Sequence, residues 1–236
     1  VLDIRLAHSA QDAALISQLF DQIWSVRGMV SPEIITASLH NGGYGSVAWL
    51  GDRPVGAAFA LVGVPVSGEV GLNLHSHAAG VLADVNSRDF GRAIKHHQWS
   101  WARANGFATC TWTFDPLVRR NAWFNLVKLG VEVIGYHVNF YGELDDGINA
   151  GEQSDRVLVR WQVAGLDAPP AGEPIQARSD DEIVPTPADI ESLRRSNKAE
   201  SSRWRTMQRE QFVSAKGLRV VGLTRDFEYV LRGCDR

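Results

Sequence analysis

The sequence predicts an α/β (α+β) protein, and three observations carry the prediction. Segments with strand and helix patterning follow in the order strand, two helices, three strands, helix, strand, helix, two strands. A hydrophobic fraction of 44% with 22% charged residues over 236 positions is globular composition, enough for a sizeable core. A Pro- and Gly-rich stretch, "GLDAPPAGEP", then separates that run from a polar tail.

"LDIRLA" alternates and reads as a strand. "SAQDAALISQLFDQIW" opens on Ser9 as N-cap and carries Ala13, Ile16, Leu19, Phe20 and Ile23 at helical spacing. In "SPEIITASLH" Ser31 caps, Pro32 takes the first helical position and Glu33 lies in the first turn, so a second helix is expected. "SVAWLG" and "PVGAAFALVGV" flank "GDRP", a strand–turn–strand pattern. A strand through "HSH" to about Val85 follows, then a helix over "SRDFGRAIKHHQWSWARANG" closed by Gly106. "ATCTWTF" is a β-branched and aromatic strand. "PLVRRNAWFNLVKLG" reads as a helix from Pro116 to Gly130, and "VEVIGYHVNFYG" and "DRVLVRWQV" read as strands.

Residues 1–163 therefore form the expected main domain, 164–174 a linker, and 175–236 an extension of one or two polar helices and a terminal hairpin. The extension is too small for a large core of its own, so it is expected to pack on the main domain. Such a hairpin could extend a sheet edge and pair two subunits as a homodimer.

Net charge is −3 with no long run of one sign, which argues against nucleic acid as a partner. The arginines of "ESLRRSNKAESSRWRTMQRE" are interleaved with acids, as on a solvated helix face. The longest apolar run, "VGAAFALVGVPV", is shorter than the ~20 residues of a membrane helix. The N-terminus lacks a basic-then-apolar leader. Cys110 and Cys234 make no disulfide framework. A cytoplasmic protein away from membranes is expected.

The chemistry-bearing stretch is "LNLHSHAAGVLADVNSRDFGRAIK". On a strand, His75 and His77 share one face with Ser76 on the other. They could be two histidines in a half-polar cleft without chemistry, two metal ligands, or a general base. Metal needs a third ligand, and no His, Cys or carboxylate cluster at recognisable spacing supplies one, so no metal is expected. A histidine titrating near neutrality suits removal of a proton from an amine. "NSRDFG" opens a helix, whose unpaired N–H groups and positive dipole end suit a phosphate. Asp89 could instead cap that helix.

With its polar turn before the long helix, this element order resembles the GNAT acyltransferase fold over residues 1–163. The family's Q/R-x-x-G-x-G/A motif falls on Asn86-Ser87-Arg88-Asp89-Phe90-Gly91, followed by "RAIK", and its upstream valine matches Val81. "TWTFDPLVRRNAWFNLVKLG" and "SDRVLVRW" are similar to segments of a bacterial group of predicted GNAT acetyltransferases. The resemblance implies a mixed, mostly antiparallel sheet flanked by helices, here with a C-terminal extension. It implies acetyl-CoA (coenzyme A) as cofactor, with pantetheine along Val81–Ala83. The pyrophosphate would sit on the N–H groups of Ser87, Arg88, Asp89, Phe90, Gly91 and Arg92, with Asn86 in the Gln/Arg position and Asn121 resembling a cofactor-facing asparagine. His75 lies eleven residues before Asn86, where GNAT enzymes with a base on this strand carry it. Arylalkylamine acetyltransferases look similar in carrying a second histidine at the place of His77. The implied activity is acyl-CoA-dependent N-acetylation of a small-molecule amine by direct attack. Trp24 is the acceptor-pocket candidate, because the opening helices of this fold border the acceptor, and Tyr136 is a further one. The sequence departs from the pattern in three places: Asn86 stands where Gln or Arg is usual, Asp89 replaces a glycine, and Leu126 replaces the usual tyrosine general acid. Those departures support the alternative, a non-catalytic acyl-CoA-binding or assembly protein.

Overall fold

The structure, a computed structural model, describes residues 1–65, 70–85, 89–144 and 152–233. The described chain divides into two compact units, Val1–Trp112 with Gln162–Pro169, and Thr113–Trp161 with Pro170–Arg236. These units cut across the segments 1–163 and 175–236 rather than following them.

In the first unit β1 (Leu2–Leu6) keeps the alternating burial its sequence predicts. The helix α1 (Ala10–Trp24) opens on a reciprocal cap: Asp12 N–H donates to Ser9 Oγ at 3.1 Å, and Ser9 N–H donates to Asp12 Oδ2 at 3.0 Å. Ser31 and Pro32 start α2 (Pro32–His40) as expected. β2 (Tyr44–Leu50), β3 (Arg53–Gly63) and β4 (Leu72–Val81) continue antiparallel from β1. After α3 (Phe90–Ala104), β5 (Phe107–Phe114) lies parallel to β4. The result is a mixed, mostly antiparallel sheet in the order β1-β2-β3-β4-β5. Ile16, Leu19 and Phe20 of α1 and Ile35 of α2 pack on Val47, Ala57, Phe59 and Ala78 of one sheet face. Burying a side chain of that size contributes about 1.5–3 kcal/mol.

In the second unit the helix expected from Pro116 to Gly130 is shorter and differently wound. Leu117 and Val118 are buried against Ile190, and Val118 has φ −83° and ψ 86°, so α-helix begins only at Arg119. After α4 (Arg119–Ala122) the chain widens into a π-helical turn over Trp123–Lys128, where Leu129 N–H reaches back five residues to Phe124 O. Gly130 (φ 62°) ends it against the linker: a Cβ there would lie 2.5 Å from the Ala171 carbonyl carbon. β6 (Glu132–His137) pairs antiparallel with a later strand, Arg156–Gln162; a short pair, β7 (Glu143–Leu144) and β8 (Glu152–Gln153), intervenes, so that strand is β9.

The tail resolves the expected "one or two helices" as two, α5 (Ile190–Ser196) and α6 (Lys198–Ser214), because Asn197 ends the first and caps the second through Glu200 N–H. The terminal hairpin, β11 (Leu218–Leu223) and β12 (Tyr229–Gly233), gains a strand the pattern did not announce, β10 (Glu182–Val184). Buried charge ties the tail to residues 113–161. Asp115 accepts from Arg205 at 2.8 and 3.0 Å and from Arg194 at 2.5 Å, and Tyr229 donates to Pro116 O at 2.9 Å. Burial alone would raise the Asp115 pKa, but the charges of Arg205, Arg194 and Arg156 overcome it and hold the carboxyl well below its usual range. No described helix is long and apolar enough to cross a membrane.

Candidate functional site

The first unit builds its most distinctive local geometry on β4. Along β3 the register runs Leu61–His75, Ala60–Ser76, then skips to Phe59–Ala78, so His77 is the extra residue of a β-bulge. The parallel register with β5 ends at His75–Thr111, while β4 runs on to Val81. β4 and β5 therefore part directly after the first histidine, beside the bulge that holds the second. A parted strand leaves backbone polar groups for a ligand to meet.

Strand alternation sets both histidines on the face opposite Ser76, and the bulge brings Ala78 onto the face of Phe59. Ser76 Oγ accepts from Lys95 of α3 at 3.0 Å, on the α3 side. His77 stands edge-on to Phe59, with ring centroids 6.1 Å apart, on the side packed by α1. Trp24 lies on that side too: a Cβ on Gly80 would come within 2.9 Å of Ile23 Cγ2 and 3.0 Å of Trp24 Cη2. Gly80 thus lets the end of α1 close directly on the β4 backbone. His75 Nδ1 is 3.3 Å from Thr111 Oγ1. Burial, then the nearby His77 and Lys95, lowers the pKa of His75, and burial lowers that of His77, so both favour the neutral ring.

Lys95, behind the histidine strand on the α3 side, is a buried charge that sequence reading passed over. It is 5% exposed, donates to Ser76 Oγ and at 2.7 Å to Gln98 Oε1, and lies 3.5 Å from the Trp112 ring centroid. Burial without a carboxylate lowers its pKa to about 7. Helical spacing could have found it, since it shares the buried stripe of Ile94, Gln98, Trp99 and Ala102. Burial also pushes the Cys110 thiol up to about 12, which leaves it a poor nucleophile.

At the start of α3, Asp89 occupies the N-cap position but makes no side-chain cap. Its side chain is 78% exposed and lies 3.3 Å from Arg92. The carboxylate is turned to that arginine rather than folded over the first N–H groups of the helix, which corrects the capping alternative. Asn86, Ser87 and Arg88 lie outside the described residues. Val81 ends β4, and in the turn that follows Leu82 N–H is taken by Val55 O at 2.8 Å, beside exposed Ala83.

The remaining candidates lie in the second unit. Asn121 is exposed on α4, and Leu126 is buried in the π turn. Tyr136, an expected acceptor contact, is half-buried and engaged within the second unit. Its hydroxyl donates to Asp155 Oδ2 at 2.6 Å, its ring stacks on Phe212 at 4.8 Å, and Arg209 holds the same carboxylate. Burial and that carboxylate raise its pKa. Among the described residues no group of three His, Cys, Asp or Glu side chains could hold a metal ion.

No protein-family model and no curated protein matches the sequence. Solved structures do match the fold. Arabidopsis thaliana Naa50 in complex with the bisubstrate analogue CoA-Ac-MVNAL is 17% identical with a TM-score of 0.53, over 67% of this chain and 97% of that one. The ribosomal-protein-alanine N-acetyltransferase of Brucella melitensis is 18% identical with a TM-score of 0.51, over 67% and 98%. A GNAT-family acetyltransferase of Streptococcus pneumoniae is 13% identical with a TM-score of 0.53, over 70% and 100%. At these identities the likeness is one of fold, and about a third of the chain lies beyond it: the chain has the fold of the GNAT acetyltransferases.

Proposed function

We propose that this protein is an acyl-CoA-dependent N-acyltransferase that moves an acetyl group from acetyl-CoA to the amine of a small molecule. The observation that carries the reading is the parting of β4 from β5 at His75–Thr111, with two half-buried neutral histidines at the parting point. The residues fit such a cofactor. The open run of β4 to Val81 and the turn at Ala83 suit the amides of a pantetheine arm. The first N–H groups of α3 at Phe90, Gly91 and Arg92 lack a side-chain cap and suit a diphosphate. Solved structures of this fold, among them the Naa50 complex with a CoA–peptide analogue, support acetyl transfer to nitrogen as the class of chemistry.

In the transfer the amine nitrogen bonds to the thioester carbon, the C–S bond breaks, and the nitrogen loses one proton. The His75–His77 pair receives that proton and the departing thiolate takes it up. A buried, protonated Cys110 favours direct attack over a covalent enzyme intermediate. Trp24, closed on Gly80, forms one wall for the acceptor. The buried free thiol also fits a reducing, cytoplasmic setting.

Leu126, apolar and buried where the family carries a tyrosine acid, favours the second reading, a binding protein without turnover. Thermal unfolding with acetyl-CoA, then thiol release across an amine panel, separates the two. Ligand at a hundredfold excess over its Kd should stabilise the fold by about 2.7 kcal/mol. Thiol release should then depend on amine. A shift without release would support the binding protein, and no shift at millimolar cofactor would remove the acyltransferase reading.

A further inference from the structure

Beside the histidines runs a chain of neutral side chains that no motif of the sequence contains. Thr109 Oγ1 donates to Asn73 Oδ1 at 3.1 Å, Asn73 Nδ2 donates to Thr111 Oγ1 at 2.8 Å, and Thr111 Oγ1 lies 3.3 Å from His75 Nδ1. Thr109 and Thr111 are each 2% exposed and Asn73 6%, so each hydroxyl proton needs an acceptor within the protein. Thr109 spends its proton on Asn73. Thr111 already accepts from Asn73, and the acceptor left for its own proton among the described residues is His75 Nδ1. If Nδ1 carried the ring proton instead, the Thr111 hydroxyl would be a buried donor without an acceptor. Reversing the Asn73 amide only moves that orphan to Thr109. The arrangement in which both buried threonine hydroxyls find an acceptor runs one way, from Thr109 through Asn73 and Thr111 to the imidazole.

We infer that Thr111 holds neutral His75 with its proton on Nε2, and that the two histidines divide the proposed transfer between them: His77 takes the amine's proton, while His75 offers an N–H to developing negative charge. The division rests on the acyltransferase reading; the tautomer does not. Among the described residues Nε2 of His75 and both ring nitrogens of His77 have no hydrogen-bond partner, so these are the atoms left for a reaction. A neutral imidazole that has lost its acceptor nitrogen to Thr111 cannot serve as base, and it cannot release its remaining proton near neutral pH. It can act as an uncharged electrophilic donor. The proton balance then closes through one ring: amine nitrogen to His77, His77 to the departing thiolate, with His75 unchanged. This supplies what the leucine at position 126 withholds, since the proton taken at the start is the one delivered at the end. Thr111 is thus a positioning residue, with Asn73 and Thr109 behind it.

Two-bond 1H–15N spectra of the full chain with labelled histidine, assigned with His77→Gln, read the tautomer with or without turnover. The expected result is Nε2–H for His75 in the wild type, a shift towards Nδ1–H in Thr111→Val, and the wild-type pattern in Thr111→Ser. Nδ1–H in the wild type would overturn the inference, a result that does not depend on whether Thr111→Val folds; so would a tautomer indifferent to Thr111→Val. For the division of work, added imidazole should restore thiol release to His77→Ala and not to His75→Ala, and His75→Gln should retain more of kcat than His75→Ala. The reverse rescue would make His75 the base. A wild type that binds no acetyl-CoA and releases no thiol would sink the acyltransferase reading and the division with it, while the spectrum still decides the tautomer.

Discussion

Replacing Lys95 by methionine removes a positive charge that the first unit holds among neutral partners: Ser76 Oγ, Gln98 Oε1 and the Trp112 ring. Burial lowers the lysine pKa from 10.5 to about 7, a difference of 3.5 units. At 1.36 kcal/mol per unit the full swing in stability is about 5 kcal/mol. The unfolded chain keeps this proton to about pH 10.5 and the folded chain releases it near 7. Between those values the unfolded state binds more protons, so stability from this group rises with pH through that window. Between pH 6 and 9 the rise is about 3 kcal/mol. Methionine fills much of the same volume and leaves Ser76 and Gln98 unmet, at a cost that does not change with pH. Urea unfolding of wild type and Lys95→Met at matched pH reads the effect, because titrations that do not feel Lys95 cancel in the difference. Wild-type stability should gain about 3 kcal/mol on the variant from pH 6 to 9. Two parallel curves would mean that Lys95 stays charged throughout, and the account of an uncompensated buried lysine would be wrong.

Asp115→Asn leaves Arg194 and Arg205 buried without their countercharge and should cost about 3–5 kcal/mol in chemical unfolding. Its folded pKa lies below the usual 3.8, so the stability it contributes is present above that value and is lost as pH falls through the folded one. An acid unfolding series on wild type and variant should therefore converge at low pH. Gly80→Ala places a methyl 3.0 Å from the Trp24 ring and should cost about 1–3 kcal/mol, with Trp24 fluorescence changed. Asp89→Asn removes a negative charge from the α3 N-terminus without removing a cap. Coenzyme A binding by calorimetry should tighten about two- to fivefold, and weaker binding would mean that the carboxylate organises the turn.

The elements carrying local signals were legible in the sequence. Ser9, and Ser31 with Pro32, announce the starts of α1 and α2 by local capping chemistry. His75 and His77 stood out as a period-two pair. What long-range packing decides was not legible. The bulge at His77 exists only in the register with β3, and the parting of β4 from β5 is a property of two strands and not of either. The helix expected from Pro116 starts late because Leu117 and Val118 are drawn into contact with Ile190, far along the chain. Tyr136 stands in the sequence as an acceptor candidate, and nothing near it in the chain announces the Asp155 and Arg209 that surround its hydroxyl. Asn73, Thr109 and Thr111 gave no signal, since a buried asparagine between two threonines has no pattern in one dimension.

Backbone amide spectra recorded while coenzyme A is titrated into the labelled chain address the cofactor site residue by residue. The account predicts saturable shifts concentrated at Phe90, Gly91 and Arg92 and along Val81–Ala83. Amides at those positions that stay still at millimolar coenzyme A would contradict it, whatever the fold resembles.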